Sequence, residues 1–291
     1  MKKSIIVFCA IIACSFSLKK TNKFSKLDSF VFIPSGTTHL DNKSYSCNAF
    51  WMASTEVTNA NYRDFLADLK ASGDMDSYRR ALPDTSNWND TTMGFTMKSM
   101  KEVYFWHPAY DAYPVVNVTK EDANLYCIWL TEKMRKMFPD DHLNEFRLPT
   151  REEWVYAARG GLKNSPYPWG GPSPKNTKGC SLANYFEIGE QNIKRNADGS
   201  LAIVDSKSFI YSGTNEYFTL ANVKTYRPNG YGLFNMSGNC AELVAGTDHV
   251  VGGSWKSTGF DIRIESSEEY LGARPTIGFR PVTSFLNKPS Q

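Results

Sequence analysis

From residue 160 to the C-terminus the chain shows no helical period. Glycine, proline, asparagine and aromatic side chains dominate this half, and apolar residues no longer recur three and four positions apart. Without that spacing the second half cannot supply amphipathic helices to a core. It must instead be held by short extended segments, tight turns and aromatic anchors. So much irregular backbone is unusual for a free-standing domain. Even so, 41% hydrophobic and 14% aromatic residues are enough to build a real core, which excludes a disordered chain.

Regular structure is concentrated before residue 160. Phe30-Val31-Phe32-Ile33 reads as a strand closed by Pro34 and Gly36, and Phe50–Ala53 as another. Thr58 is placed to cap a helix whose buried face is Tyr62, Phe65, Leu66 and Leu69. Residues 71–112 lack a period and read as a long surface excursion anchored by Trp88, Tyr104, Phe105 and Trp106. Pro114–Val118 restores an extended segment. Thr119-Lys120-Glu121-Asp122 is a capping box with Asp in place of Glu, followed by Ala123, Tyr126, Cys127, Leu130 and Met134 on one face. Thr150-Arg151-Glu152-Glu153 opens a third, short helix through Trp154 and Ala158. No repeat and no second domain is visible.

The N-terminus reads as a targeting segment. Met1-Lys2-Lys3 is followed by a short apolar run from Ile5 to Ile12 and then by Ala13-Cys14. The run falls short of the ~20 residues a membrane span needs. Its layout resembles a bacterial lipobox, which implies cleavage before Cys14 and lipid on that cysteine; a plain secretory peptide, or a membrane segment with a coincidental cysteine, is the alternative. Residues 1–14 are then the signal, 15–28 a tether rich in Ser, Lys, Thr and Asn, and 283–291 a tail.

Several chemistries find no support. Four cysteines, Cys47, Cys127, Cys180 and Cys240, remain outside the signal, with no C-x-x-C spacing for zinc or thiol exchange. Cys127 reads as a small buried hydrophobe, and one disulfide among the other three stays open. His39, His107, His142 and His249 are scattered, without metal-ligand spacing. No G-x-S-x-G, P-loop or G-x-G-x-x-G occurs. A net charge of +3 without a Lys/Arg stripe argues against nucleic acid. The acidic stretch Glu265–Glu269 reads as a solvated loop. The aromatic run near 104–113 reads as core packing beneath a loop, with a sugar or peptide groove as the alternative.

Six blocks carry a family resemblance. They are Arg147-Leu148-Pro149-Thr150-Arg151-Glu152-Glu153-Trp154, Ala157-Ala158-Arg159-Gly160-Gly161, Tyr167-Pro168-Trp169-Gly170, residues 227–242 (Arg-Pro-Asn-Gly-Tyr-Gly-Leu-Phe-Asn-Met-Ser-Gly-Asn-Cys-Ala-Glu), Gly252-Gly253-Ser254-Trp255 and Gly278-Phe279-Arg280. In this order they resemble the formylglycine-generating enzyme, or sulfatase-modifying factor, family. The resemblance implies an α+β, C-type-lectin-like fold of the sulfatase-modifying factor type, low in regular secondary structure, over residues 29–282. It also implies calcium. One set would use the side chains of Asn239 and Glu242 with carbonyls such as that of Cys240. A second would use Asn184 and Asp198 with the carbonyls of Tyr185 and Ser200. These are hard oxygen donors of the kind calcium takes. The sequence departs from the family around Glu242, where Ala241 and Leu243 replace the usual aromatics.

The larger departure concerns catalysis. Catalytic members bind copper through a cysteine pair between the Gly-Gly-Ser-Trp and Gly-Phe-Arg blocks, and residues 256–277 here contain neither cysteine nor histidine. Cu(I) needs soft ligands, so copper is not expected and no catalytic residue is assigned. The pattern resembles gliding-motility and type IX secretion lipoproteins that keep the fold and lack the cysteines. The expectation is a membrane-anchored envelope protein, periplasmic or surface-facing. Its catalytically degenerate domain would act as a binding or scaffold module for envelope proteins or surface glycans. A non-haem iron oxidoreductase and a calcium-dependent glycan receptor are the alternatives.

Overall fold

Strands from opposite ends of the chain meet in the first sheet. A computed structural model of the protein describes residues 29–89, 98–141, 143–188, 193–203 and 219–285. β1 (Phe30–Ile33) pairs antiparallel with β4 (Phe50–Ala53), which in turn pairs antiparallel with β12 (Val282–Ser284). β12 also takes β5 (Phe146–Arg147) on its other edge. The sheet order is therefore β1-β4-β12-β5, and the C-terminal strand ties the two halves together. Between β1 and β4 lies the hairpin of β2 (Gly36–Leu40) and β3 (Lys43–Cys47). Its two turn residues, Asp41 and Asn42, both have positive φ, the backbone twist a two-residue hairpin needs.

The helices form where their caps foretell. Thr58 accepts from the Asn61 amide at the start of α1 (Asn59–Ser72), and Thr119 from the Asp122 amide at the start of α4 (Lys120–Met137). Thr150 does the same for α5 (Arg151–Arg159), where Glu153 reaches back to the cap amide and also takes Arg147 through two 2.7 Å bonds. Tyr62, Phe65 and Leu66 of α1 are buried against Tyr126, Cys127, Leu130 and Met134 of α4 and against Phe279, with Leu69 at the margin. Tyr62 stacks on Tyr126 at 5.8 Å, and Tyr126 meets Phe279 edge-on at 5.3 Å. Each such ring removed from water contributes roughly 1.5–3 kcal/mol.

The stretch 71–112 departs from the expected loop. It contains α2 (Met75–Arg80) and α3 (Lys98–Val103), both too short for a hydrophobic period to show in sequence. Trp88, Tyr104 and Phe105 are buried as expected, but Trp106 is 51% exposed. Tyr104 and its neighbours pack with Trp88, Cys240 and Trp255 into a core cluster, so the aromatic run is packing rather than an open groove.

The irregular half is organised around a second sheet, order β10-β9-β8-β11. β8 (Ala241–Leu243) runs parallel to β11 (Ile277–Gly278) and antiparallel to β9 (His249–Val251), which pairs with β10 (Ser267–Glu269). The acidic stretch 265–269 is thus partly a strand, exposed along its length. A separate exposed hairpin joins β6 (Ile193–Arg195) to β7 (Leu201–Ile203). Cys47, Cys127, Cys180 and Cys240 are all free thiols, so no disulfide forms among them. Among the described residues no helix is long and apolar enough to cross a membrane. Cys14 and the segments 1–14 and 15–28 lie outside the described residues, as do His142 and most of the 283–291 tail.

Candidate functional site

The density of glycine and asparagine in residues 227–242 has a backbone cause. Asn235, Gly238 and Asn239 all take positive φ, at 51°, 74° and 66°, as do Gly252 and Gly253 in the next block. Glycine adopts this region freely and asparagine at small cost. Close approach adds a second demand. A Cβ on Gly238 would lie 2.2 Å from the Asn184 carbonyl oxygen, and one on Gly230 would lie 2.2 Å from that of Gly160. Separate sequence blocks therefore meet backbone against backbone.

The turns deliver a buried polar network. Glu242 on β8 faces Arg280, which lies just before β12. The guanidinium Nε donates to both carboxylate oxygens at 3.0 and 2.7 Å, and Nη2 donates at 2.7 Å. The indole Nε1 of Trp154 on α5 adds a bond at 2.8 Å. The remaining guanidinium hydrogens go to the carbonyls of Ala53, Ser54 and Phe234. On the other side, Glu56 accepts from Asn239 at 2.8 Å and from Asn235 at 3.1 and 3.3 Å. It stands 3.9 Å from Arg280. Burial pushes the Glu56 carboxyl up to about 7, with Glu242 adding to the rise and Arg280 and Asn239 opposing it.

The expected calcium residues can be placed in this frame. Asn184 and Asn239 come together: the Asn184 amide donates to Asn239 Oδ1 at 3.2 Å, and the Ala221 amide donates to the same oxygen at 2.8 Å. Glu242 accepts four bonds, which fills the roughly four lone-pair sites of a carboxylate. The Arg280 guanidinium charge lies directly against this carboxylate. In this arrangement the side-chain oxygens of Glu242 and Asn239 Oδ1 are engaged by protein donors, which leaves backbone carbonyls such as that of Cys240 as the remaining oxygens of the expected calcium set. Asn184 and Tyr185 are buried, whereas Asp198 and Ser200 are exposed on the β6–β7 hairpin. There Asp198 Oδ1 accepts from the Ser200 amide at 2.9 Å and from its hydroxyl at 2.6 Å, closing a local turn.

Between the Gly-Gly-Ser-Trp and Gly-Phe-Arg blocks lies a cavity of about 450 Å³. Gly253, Ser254, Lys256, Ser257, Glu268 and Arg274 are among its lining, which among the described residues holds no thiol and no imidazole. Ser257 Oγ accepts from the Ser254 amide at 2.9 Å, and Arg274 pairs with Glu268 at 2.9 Å. These are hydroxyls and fixed charges, suited to hydrogen-bonding a polar ligand and unsuited to soft metals. The buried thiols lie elsewhere and stay protonated: burial pushes Cys47 up to about 11, Cys127 up to about 12 and Cys240 well above its ordinary value. The histidines are dispersed. His39 meets Ser44, His249 meets Thr247, and His107 caps a short 3-10 turn. Among the described residues no three of His, Cys, Asp and Glu form a metal-holding group.

Sequence reasoning missed Glu56 and gave Arg280 no role. The available signal was electrostatic: a carboxylate in an apolar strand such as β8 must be paired, and Arg280 is the basic residue of the last block. Glu56 sits in Thr55-Glu56-Val57-Thr58, which reads as an ordinary approach to a helix cap.

Fold and network together define an α+β domain, low in regular structure, of the formylglycine-generating-enzyme type. The family described as "Sulfatase-modifying factor enzyme 1-like domain" matches residues 15–285, and the chain belongs to it. Among known relatives, the formylglycine-generating enzyme of Bos taurus is 25% identical over 67% of this chain and 48% of its own length. The protein named inactive C-alpha-formylglycine-generating enzyme 2 of Mus musculus is 26% identical over 72% of this chain and 59% of its own. The chain thus spans about half the length of these relatives. Among solved structures, Treponema denticola variable protein 1 superposes with a TM-score of 0.55 at 18% identity, covering 88% of this chain and 94% of its own. CarF gives 0.56 at 20%, covering 88% and 98%. At these identities the superpositions establish the fold alone.

Proposed function

We propose that this protein is a non-catalytic, lipid-anchored component of the bacterial cell envelope whose domain binds or scaffolds a partner. The observation that carries the reading is the cavity between the two glycine-containing blocks. Where catalytic relatives bring a thiol pair to copper, this chain presents serine hydroxyls, Lys256, Arg274 and Glu268. Cys240 does not substitute, because it is a single buried thiol packed against Gly278, where a Cβ would lie 2.9 Å from its sulfur. The name of the mouse relative gives precedent for an inactive member of the family. Envelope proteins or surface glycans are the partners such a module would take, with gliding or secretion complexes as the setting.

The test is direct. The full chain is incubated with a cysteine-containing sulfatase-type peptide, Cu(I), a thiol reductant and oxygen, and the peptide mass is followed. The expected result is an unchanged cysteine. Conversion of that cysteine to formylglycine at a rate above the protein-free control contradicts the proposal.

A further inference from the structure

A second cavity, of about 410 Å³, opens between the β2–β3 hairpin, the end of α5 and the Tyr231 turn. Its volume falls within the range of small-ligand sites, roughly 300–1,000 Å³. Two half-buried tyrosines, Tyr156 and Tyr231, line it with ring centroids 6.1 Å apart, tilted by 53°, their hydroxyls 3.4 Å from each other. The hairpin is shaped around them, since a Cβ on Gly36 would lie 2.3 Å from the Tyr156 hydroxyl. Arg159 forms another part of the lining and is only 5% exposed. Its terminal nitrogens are taken by Thr38 at 2.6 Å and by Glu265, while its Nε is buried without a hydrogen-bond partner. Lys163 stands at the rim and is exposed. Among the described residues the lining carries the cations Arg159 and Lys163 and no carboxylate.

Aromatic surfaces beside hydroxyl and amide donors suit the mixed apolar and polar faces of a sugar ring. Arg159 is already paired with Glu265, but its free Nε–H and the Lys163 ammonium at the rim favour an anionic one, because charge-assisted bonds to a carboxylate are roughly twice as strong as neutral ones. We propose that this cavity binds an acidic sugar, a hexuronate unit of a polysaccharide, with Tyr156 and Tyr231 against the ring, Lys163 drawing the carboxylate and the Arg159 Nε–H as a further donor. The inference rests on the reading of the chain as a binding module and supplies a ligand class for it.

The experiment is calorimetric titration of the full chain with tetragalacturonate, and in parallel with maltotetraose and inorganic phosphate. Tetragalacturonate is expected to bind and maltotetraose to bind at least about tenfold more weakly, with phosphate alone giving no saturation over the same range. Lys163→Glu and Tyr231→Ala are each expected to weaken tetragalacturonate by about tenfold or more with unchanged circular dichroism. Lys194→Glu, the same charge change on the exposed β6–β7 hairpin, leaves affinity as it was. Absent binding, equal binding of the neutral tetramer, phosphate matching the uronate, or an equal effect of Lys194→Glu each overturn the proposal. None of these outcomes bears on peptide oxidation, so this inference can fail while the non-catalytic reading stands.

Discussion

Glu56 is the sharpest place to test the buried network. Three charges share the site: Glu242 is bonded directly to Arg280 at 2.7 Å, whereas Glu56 stands 3.9 Å from the same guanidinium. One cation thus serves two buried carboxylates, and the surplus negative charge falls on Glu56, which burial raises to about 7 from an ordinary 4.5. A carboxyl raised on folding stabilises relative to its ionised form at low pH. The folded chain holds the proton more tightly, so stability is highest below the unfolded-state value and is lost as pH rises through the folded one. At about 1.36 kcal/mol for each tenfold in proton affinity, this group alone makes the protein about 3 kcal/mol less stable at pH 8 than at pH 4.5. Glu56→Gln keeps an acceptor for Asn239 and removes the titration. Urea unfolding at intervals between pH 4.5 and 8, for wild type and variant, gives the difference in slope. The account predicts a difference of about 3 kcal/mol accumulated mostly between pH 5 and 7, with the variant gaining on the wild type as pH rises. Parallel curves refute it, because they mean that Glu56 stays ionised in the fold across the whole range.

Arg280→Met strands two buried carboxylates, and a loss of 3–5 kcal/mol or so is expected in the urea midpoint at pH 8; a loss below about 1 kcal/mol would show that the pair is not the keystone the geometry makes it. Thr150→Ala removes the cap of α5 and is expected to cost about 1 kcal/mol by the same assay. Cys14→Ser is expected to move the protein from the membrane fraction to the soluble fraction, and retention at the membrane counts against the lipid anchor.

The three longer helices were legible because their signals are local, whereas α2 and α3 within 71–112 were too short to show. Thr58, Thr119 and Thr150 each announce a helix by chemistry confined to four residues, and Tyr62, Tyr126 and Trp154 follow at helical spacing. β8 and β11 were not legible: three and two residues long, they pair across more than thirty positions, and only tertiary contact makes them strands. The glycine and asparagine blocks announced the family but concealed their purpose. They place Asn235, Asn239 and Glu242 in one interior network with Glu56 and Arg280, where donors from distant segments engage the carboxylate oxygens. Residue type alone could not show that pairing. The cavity between the last blocks was legible in the negative, because the lack of cysteine and histidine over residues 256–277 is visible in the sequence. The tyrosine-lined cavity was not, since Gly36, Tyr156 and Tyr231 converge only on folding.

The non-catalytic reading proposed for this domain requires that it hold no redox metal. Elemental mass spectrometry of the full chain, purified without chelator, tests it most directly. The account predicts copper and iron far below one equivalent per chain, whereas stoichiometric copper or iron that survives gel filtration would contradict it.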